Sequence, residues 1–143
     1  MYFTDTPIYL DQFFSFSPSP KSGALAFFVG VARDHDHGRP VKKLFYECYA
    51  SMADRAVQGL IEEAKMKWPL EDARILHRVG DLAIGDIAVV VAVSSAHREE
   101  AFAACRFLIE EIKHSVPVWK KQTYEDWTSE WVLCQPPQEE IVS

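Results

Sequence analysis

The run IAVVVAVSS, Ile87 to Ser95, is the most apolar stretch of the chain. A short continuous run of β-branched residues, entered through the turn-forming AIGD, reads as a buried strand. We take it as the central strand, for which the rest of the chain must supply partners and cover. Two segments have the helical period for cover. Over 51–68, Ala53, Ala56, Val57, Leu60, Ile61, Ala64 and Trp68 recur at i, i+3, i+4 spacing, and Pro69 stops the pattern. In HREEAFAACRFLIEEIKHSV the predicted buried stripe is Ala101, Phe102, Cys105, Leu108, Ile109 and Ile112, with Pro117 barring extension. Glu99 and Glu100 in its first turn and Lys113 and His114 in its last complement the helix dipole.

The partners are read from the remaining β-rich runs. GALAFFVGVA, from Gly23, predicts a buried strand, RDHDHGRP (33–40) a charged loop, and VKKLFYECYA (41–50) a strand expected to pair with the first as a long hairpin. ARILHRVGDL alternates Ile75, His77 and Val79 against Arg74, Leu76 and Arg78, the pattern of a half-exposed strand. Thr123 to Leu133 is expected to add an edge strand. The fold class expected is α+β, a mainly antiparallel sheet with two principal amphipathic helices. At 143 residues one domain is expected: an N-terminal arm and connector (1–22, ending in SFSPSPKSG), a body (23–133), and a loose tail, CQPPQEEIVS (134–143).

Several function classes are disfavoured. No apolar run approaches the ~20 residues that cross a bilayer. MYFTDTPIYLDQFF lacks the basic start and apolar core of a signal peptide, so a cytoplasmic protein is expected. Cys48, Cys105 and Cys134 are an odd, widely spaced set, which argues against a disulfide framework or zinc site, and their apolar or terminal settings argue against a thiol nucleophile. A net charge of -6 and a pI near 5.3 speak against nucleic-acid binding. The HDH at 35–37 has no second cluster to complete a metal site, so no metal is expected. No P-loop, G-x-G-x-x-G or G-x-S-x-G is present.

Against that acidic background, basic residues gather in three places. IKHSVPVWKKQ (112–122) sets Lys113, His114, Lys120 and Lys121 beside apolar residues that anchor the backbone. Partly desolvated lysines crowded by other cations release protons more easily, which suits them to proton transfer or nucleophilic work. Arg33 stands where a buried strand enters a loop; taken alone it reads as a surface arginine covering the sheet edge. His97 and Arg98 stand at a helix start, where free N–H groups and a forked guanidinium suit phosphate, or where a solvated cap would look the same. Together these residues describe an anion pocket.

GALAFFVGVAR, LFYECYASMA, EEAKMKWPL, ILHRVGDLAIGD, VAVSSAHREEAF and IKHSVPVWKK, in register from Gly23 to about Lys121, resemble the large, catalytic subunits of molybdopterin synthases. The resemblance implies an α/β-hammerhead fold and a sulfurtransferase that inserts two dithiolene sulfurs into cyclic pyranopterin monophosphate. It implies as partner a small ubiquitin-like sulfur carrier, whose C-terminal Gly-Gly thiocarboxylate threads into the pocket, and a homodimer of large subunits within a heterotetramer. It explains the absence of a catalytic cysteine, because the partner supplies the sulfur, and no cofactor is expected. Carried over by position, Lys113 and Lys120 are the general acid/base candidates. Arg33, His97, Arg98, Lys120 and Lys121 are the substrate-binding candidates, Lys121 and His114 more as supporting charge. The chain departs from the family pattern at Ala32 (commonly valine), at Gln122 (commonly acidic) and in TYEDWTSEW, which lacks an expected glycine. The rival readings are a non-catalytic module that binds a Gly-Gly tail or a phosphorylated ligand, and a nucleic-acid binder.

Overall fold

A computed structural model describes residues 1–13, 16 and 19–133. The predicted loose tail, with Cys134, lies outside the described residues. In chain order the elements are β1 (Phe3–Thr4), a 3-10 turn (Leu10–Phe13), β2 (Ala24–Val31), β3 (His35–Asp36), β4 (Arg39–Cys48), α1 (Ala50–Lys67), β5 (Leu70–Arg78), β6 (Gly80–Ala83), β7 (Ile87–Ser95), α2 (Arg98–Ser115), β8 (Val118–Tyr124) and β9 (Ser129–Leu133). They form two sheets, β1-β5-β7-β2 and β3-β4-β8-β9 with β6 on β4, antiparallel throughout except for β1 beside β5. The class is α+β, as the sequence predicts.

The apolar run does lie centrally, as β7 between β5 and β2. Ala88 to Ser95 are all buried, and the two-residue period of a strand explains why each must be apolar or small. Val89, Val91 and Val93 pack under the helices, against Val57, Ile61, Leu108 and Ile112 among others. Val90 and Ala92 face the other way, onto Ile8, Phe13 and Phe16 of the N-terminal arm. Phe13 and Phe16 both meet the Phe27 ring edge-on. The strand is therefore covered on both faces, by helices on one and by the arm on the other. At about 25 cal/mol per Å² of apolar area, this double burial makes β7 a large contributor to the core.

Three expectations are corrected. The run GALAFFVGVA is not a buried strand: as β2 it forms the edge of its sheet, with Leu25, Phe27 and Val31 exposed. The segment 41–50 does not pair with the first strand: β2 lies against β7, while β4 runs between β8 and β6 in the second sheet. The hairpin into β4 is local, closed by His37 and Gly38, both with positive φ (49° and 79°), as a two-residue hairpin turn requires. Beyond it, Val41 and Leu44 enter a separate small core with Leu82 and Tyr124. Phe102, placed in the buried stripe of α2, is 67% exposed, and Ala104 is buried in its stead. The two lie at opposite edges of the stripe. Helix α1 ends on the Ala104 side, where Trp68 meets Phe107 at 5.5 Å between ring centroids, and leaves the Phe102 edge uncovered. Among the described residues no helix is long and apolar enough to cross a membrane.

Candidate active site

Pro117 ends α2 and turns the chain directly into β8, so the last helical turn and the new strand lie close together. Strand period then sorts the side chains: Val118, Lys120 and Gln122 face one way, and Trp119, Lys121 and Thr123 the other. On the Lys120 side, at the seam between the two sheets, opens a cleft of about 970 Å³. The end of β2 and the following hairpin contribute Gly30, Arg33 and Asp36. Tyr46 comes from β4, His77 from β5, Lys113 and His114 from the end of α2, and Lys120 and Gln122 from β8.

Thus Lys113, Lys120 and Arg33, drawn from a helix end, a strand and a loop, line a single cavity. Its carboxylates have partners of their own, and one of them, Asp36, also pairs with Arg33 at 3.4 Å. Glu110 receives a hydrogen bond from Arg106 at 2.9 Å, Glu111 one from the Ser115 hydroxyl at 3.2 Å, and Asp36 one from Gln122 at 2.9 Å. Lys120 forms no ion pair among the described residues. The cleft can therefore offer cationic charge to an incoming anion.

Three expected site residues lie elsewhere. Lys121 is on the opposite face of β8, in register with Phe45 and Trp131. That face has its own hollow, lined by Glu47, Tyr49, Trp119 and Trp131. His97 and Arg98 are exposed at the start of α2, ~24 Å from Lys113 along the axis at 1.5 Å per residue. His97 precedes the helix without a capping hydrogen bond from its side chain.

His77, read from the sequence only as part of a strand, also lines the cleft. It is 7% exposed, its Nδ1–H donates to the Arg78 carbonyl at 2.8 Å, and its ring sits edge-on to Tyr46 and near Phe3. Burial pushes its pKa down to about 4, the charge of Lys113 acts in the same direction, and the backbone hydrogen bond opposes both. At neutral pH the cleft floor thus carries an uncharged imidazole beside Lys113. The signal was present in the alternation of ARILHR, which sends Ile75 and His77 inward together. The thiols offer no comparable chemistry. Burial pushes Cys105 up to about 11 and raises Cys48, so both stay protonated at neutral pH. Among the described residues no group of three or more His, Cys, Asp or Glu is placed to hold a metal ion.

Comparison with known proteins gives a consistent family. The model of the MoaE protein family matches residues 3–115. The molybdopterin synthase catalytic subunit 1 of Mycobacterium tuberculosis is 40% identical over 133 residues, covering 93% of this chain and 90% of that one. The catalytic subunit of Thermoplasma volcanium is 42% identical over 112 residues, covering 78% and 82%. Among solved structures, the molybdopterin synthase of Staphylococcus aureus superposes with a TM-score of 0.85 at 39% identity, over 92% of this chain and 95% of that one. A match over that span, in a chain whose helix-end and strand lysines share one cleft, places it in the MoaE protein family.

Proposed function

We propose that this chain is the catalytic subunit of a molybdopterin synthase, a cytoplasmic sulfurtransferase. It inserts the two dithiolene sulfurs into cyclic pyranopterin monophosphate, taking them from the thiocarboxylated Gly-Gly tail of a small ubiquitin-like partner. The observation that carries this reading is the shared cleft of Lys113, Lys120 and Arg33. The reaction must bring together two anions, a substrate phosphate and a thiocarboxylate. At 4 Å and an effective dielectric of 20, two unit charges repel by about 4 kcal/mol, and a fixed cation at similar distance offsets an amount of that order. Lys113 and Lys120 also have exchangeable protons for the carbonyl and ring positions that change charge as sulfur transfers.

His97 and Arg98 serve the same substrate only if a second copy of the chain brings its α2 N-terminus to this cleft. The homodimer within a heterotetramer, implied by the family, provides such a copy.

The two adjacent lysines of β8 test the reading, because strand period gives them opposite faces. Lys120→Ala is expected to lower kcat/KM for dithiolene formation by about 100-fold, within the range for a lost acid/base group. Lys121→Ala is expected to stay within about threefold of wild type, as for a surface position. Initial rates with saturating thiocarboxylated partner decide it. Equal losses in the two variants would remove Lys120 from its special place.

A further inference from the structure

The hairpin RDHDHGRP contributes Arg33 to the cleft, yet Arg33 is not held there by packing, because its side chain is 68% exposed. Its ion-pair partner among the described residues is Asp36, whose Oδ1 lies 3.4 Å from Arg33 Nη2. Asp36 is itself fixed. Its side chain is only 16% exposed, and its Oδ2 accepts a hydrogen bond from Gln122 Nε2 at 2.9 Å. Gln122 is 1% exposed and stands two residues from Lys120 on the same face of β8. Behind it, its amide lies 3.5 Å from the Tyr124 hydroxyl, which donates to Glu130, while the Arg39 guanidinium stacks on the Tyr124 ring. A line of contacts therefore runs from the strand that carries Lys120, through Gln122 and Asp36, to Arg33.

We infer that Asp36 and Gln122 are a positioning pair: the buried amide of Gln122 fixes the Asp36 carboxylate, which holds Arg33 on the cleft wall to receive the substrate phosphate. The inference about the phosphate rests on the function proposed above; the pair itself does not. What matters is polarity. Gln122 supplies an N–H and Asp36 supplies only acceptors, so the bond exists because an amide faces a carboxylate. Gln122→Glu is nearly isosteric, but it sets carboxylate against carboxylate with no N–H between them. The exchange of both residues, Asp36→Asn with Gln122→Glu, returns an N–H to the pair with its direction reversed. A residue that only filled space would not respond to that exchange.

The experiment has two readouts on the full chain: steady-state kinetics with thiocarboxylated partner, and amide hydrogen exchange of residues 34–41. In Gln122→Glu, KM for the pterin substrate is expected to rise about 10-fold with kcat within about twofold, as for a lost hydrogen bond to a charged group. Exchange in the hairpin is expected to quicken about 10-fold as its tie to β8 is released. The double variant is expected to return both quantities to within about threefold of wild type. Asp36→Ala, which buries no new charge, is expected to repeat the single-variant result and covers the case in which Gln122→Glu does not fold. Unchanged KM and exchange in Asp36→Ala, or a double variant no better than Gln122→Glu, would overturn the pair. A wild-type chain with no turnover, but with hairpin exchange that follows the variants as stated, sinks the functional reading and supports the pair.

Discussion

Lys113→Ala is expected to slow sulfur transfer by about 10²–10⁴-fold while the chain folds and binds its partner's tail as before. Lys113 is exposed in the last turn of α2, so truncation removes no core packing. The structural loss includes a favourable charge at the helix C-terminus, about 0.3–1 kcal/mol. The chemical loss is larger, because Lys113 shares its cleft with Lys120 and stands beside the neutral His77. Lys113→Arg separates the two contributions a lysine makes. It keeps the positive charge but does not give up its proton at any ordinary pH. If Lys113 moves a proton, the arginine variant remains slow; if it only neutralises charge, the arginine variant recovers most of the rate. Single-turnover formation of the dithiolene, with thermal unfolding as the control on the fold, reads all three proteins. Wild-type rates in Lys113→Ala would end its assignment.

Acid is expected to destabilise the fold through His77 by about 3 kcal/mol, following from a pKa of 6.5 unfolded and about 4 folded at about 1.36 kcal/mol per unit. Between those values the unfolded chain binds a proton that the folded chain refuses. The stabilisation is therefore complete above pH 6.5, falls as the pH drops towards 4, and is gone below that. The cause is structural: protonating His77 would place an imidazolium in a buried site beside Lys113. Urea unfolding at pH 7 and at pH 4.5 measures it, with His77→Phe as the reference. That variant keeps an aromatic ring against Tyr46 and Phe3 but has nothing to titrate. Wild type is expected to lose more stability than the variant between the two pH values. Parallel losses would show that carboxylates elsewhere account for the acid response.

What could be read from the sequence was what depends on local period. The run 87–95 and the two helical stripes are set by spacing within one segment, and they appear as β7, α1 and α2. The partner of β4 is not a local property. It depends on Val41 and Leu44 finding a second core with Leu82 and Tyr124, residues distant in the chain. Phe102 and Ala104 show a related limit. Both sit at the stripe's edges, and the position of a neighbouring helix, rather than side-chain size, decides which is covered.

The site divides along the same line. That Lys113 and Lys120 line one cleft was legible, because Pro117 turns the chain between them. The separation of Lys120 from Lys121 followed from strand period, but only once 118–124 was known to be a strand. The remoteness of His97 and Arg98 from Lys113 follows from helix length alone. The contact of Gln122 with Asp36 spans 86 positions and left no trace in the sequence beyond an amide where the family commonly has an acid.

The central claim is that this chain catalyses sulfur transfer rather than merely binding a Gly-Gly tail. Its most direct test is reconstitution of the purified wild-type chain with cyclic pyranopterin monophosphate and the thiocarboxylated carrier. The expected result is a dithiolene product with two sulfurs per pterin and carrier returned with an ordinary C-terminal carboxylate. Carrier that binds the chain but keeps its thiocarboxylate, with the pterin unchanged, would contradict it.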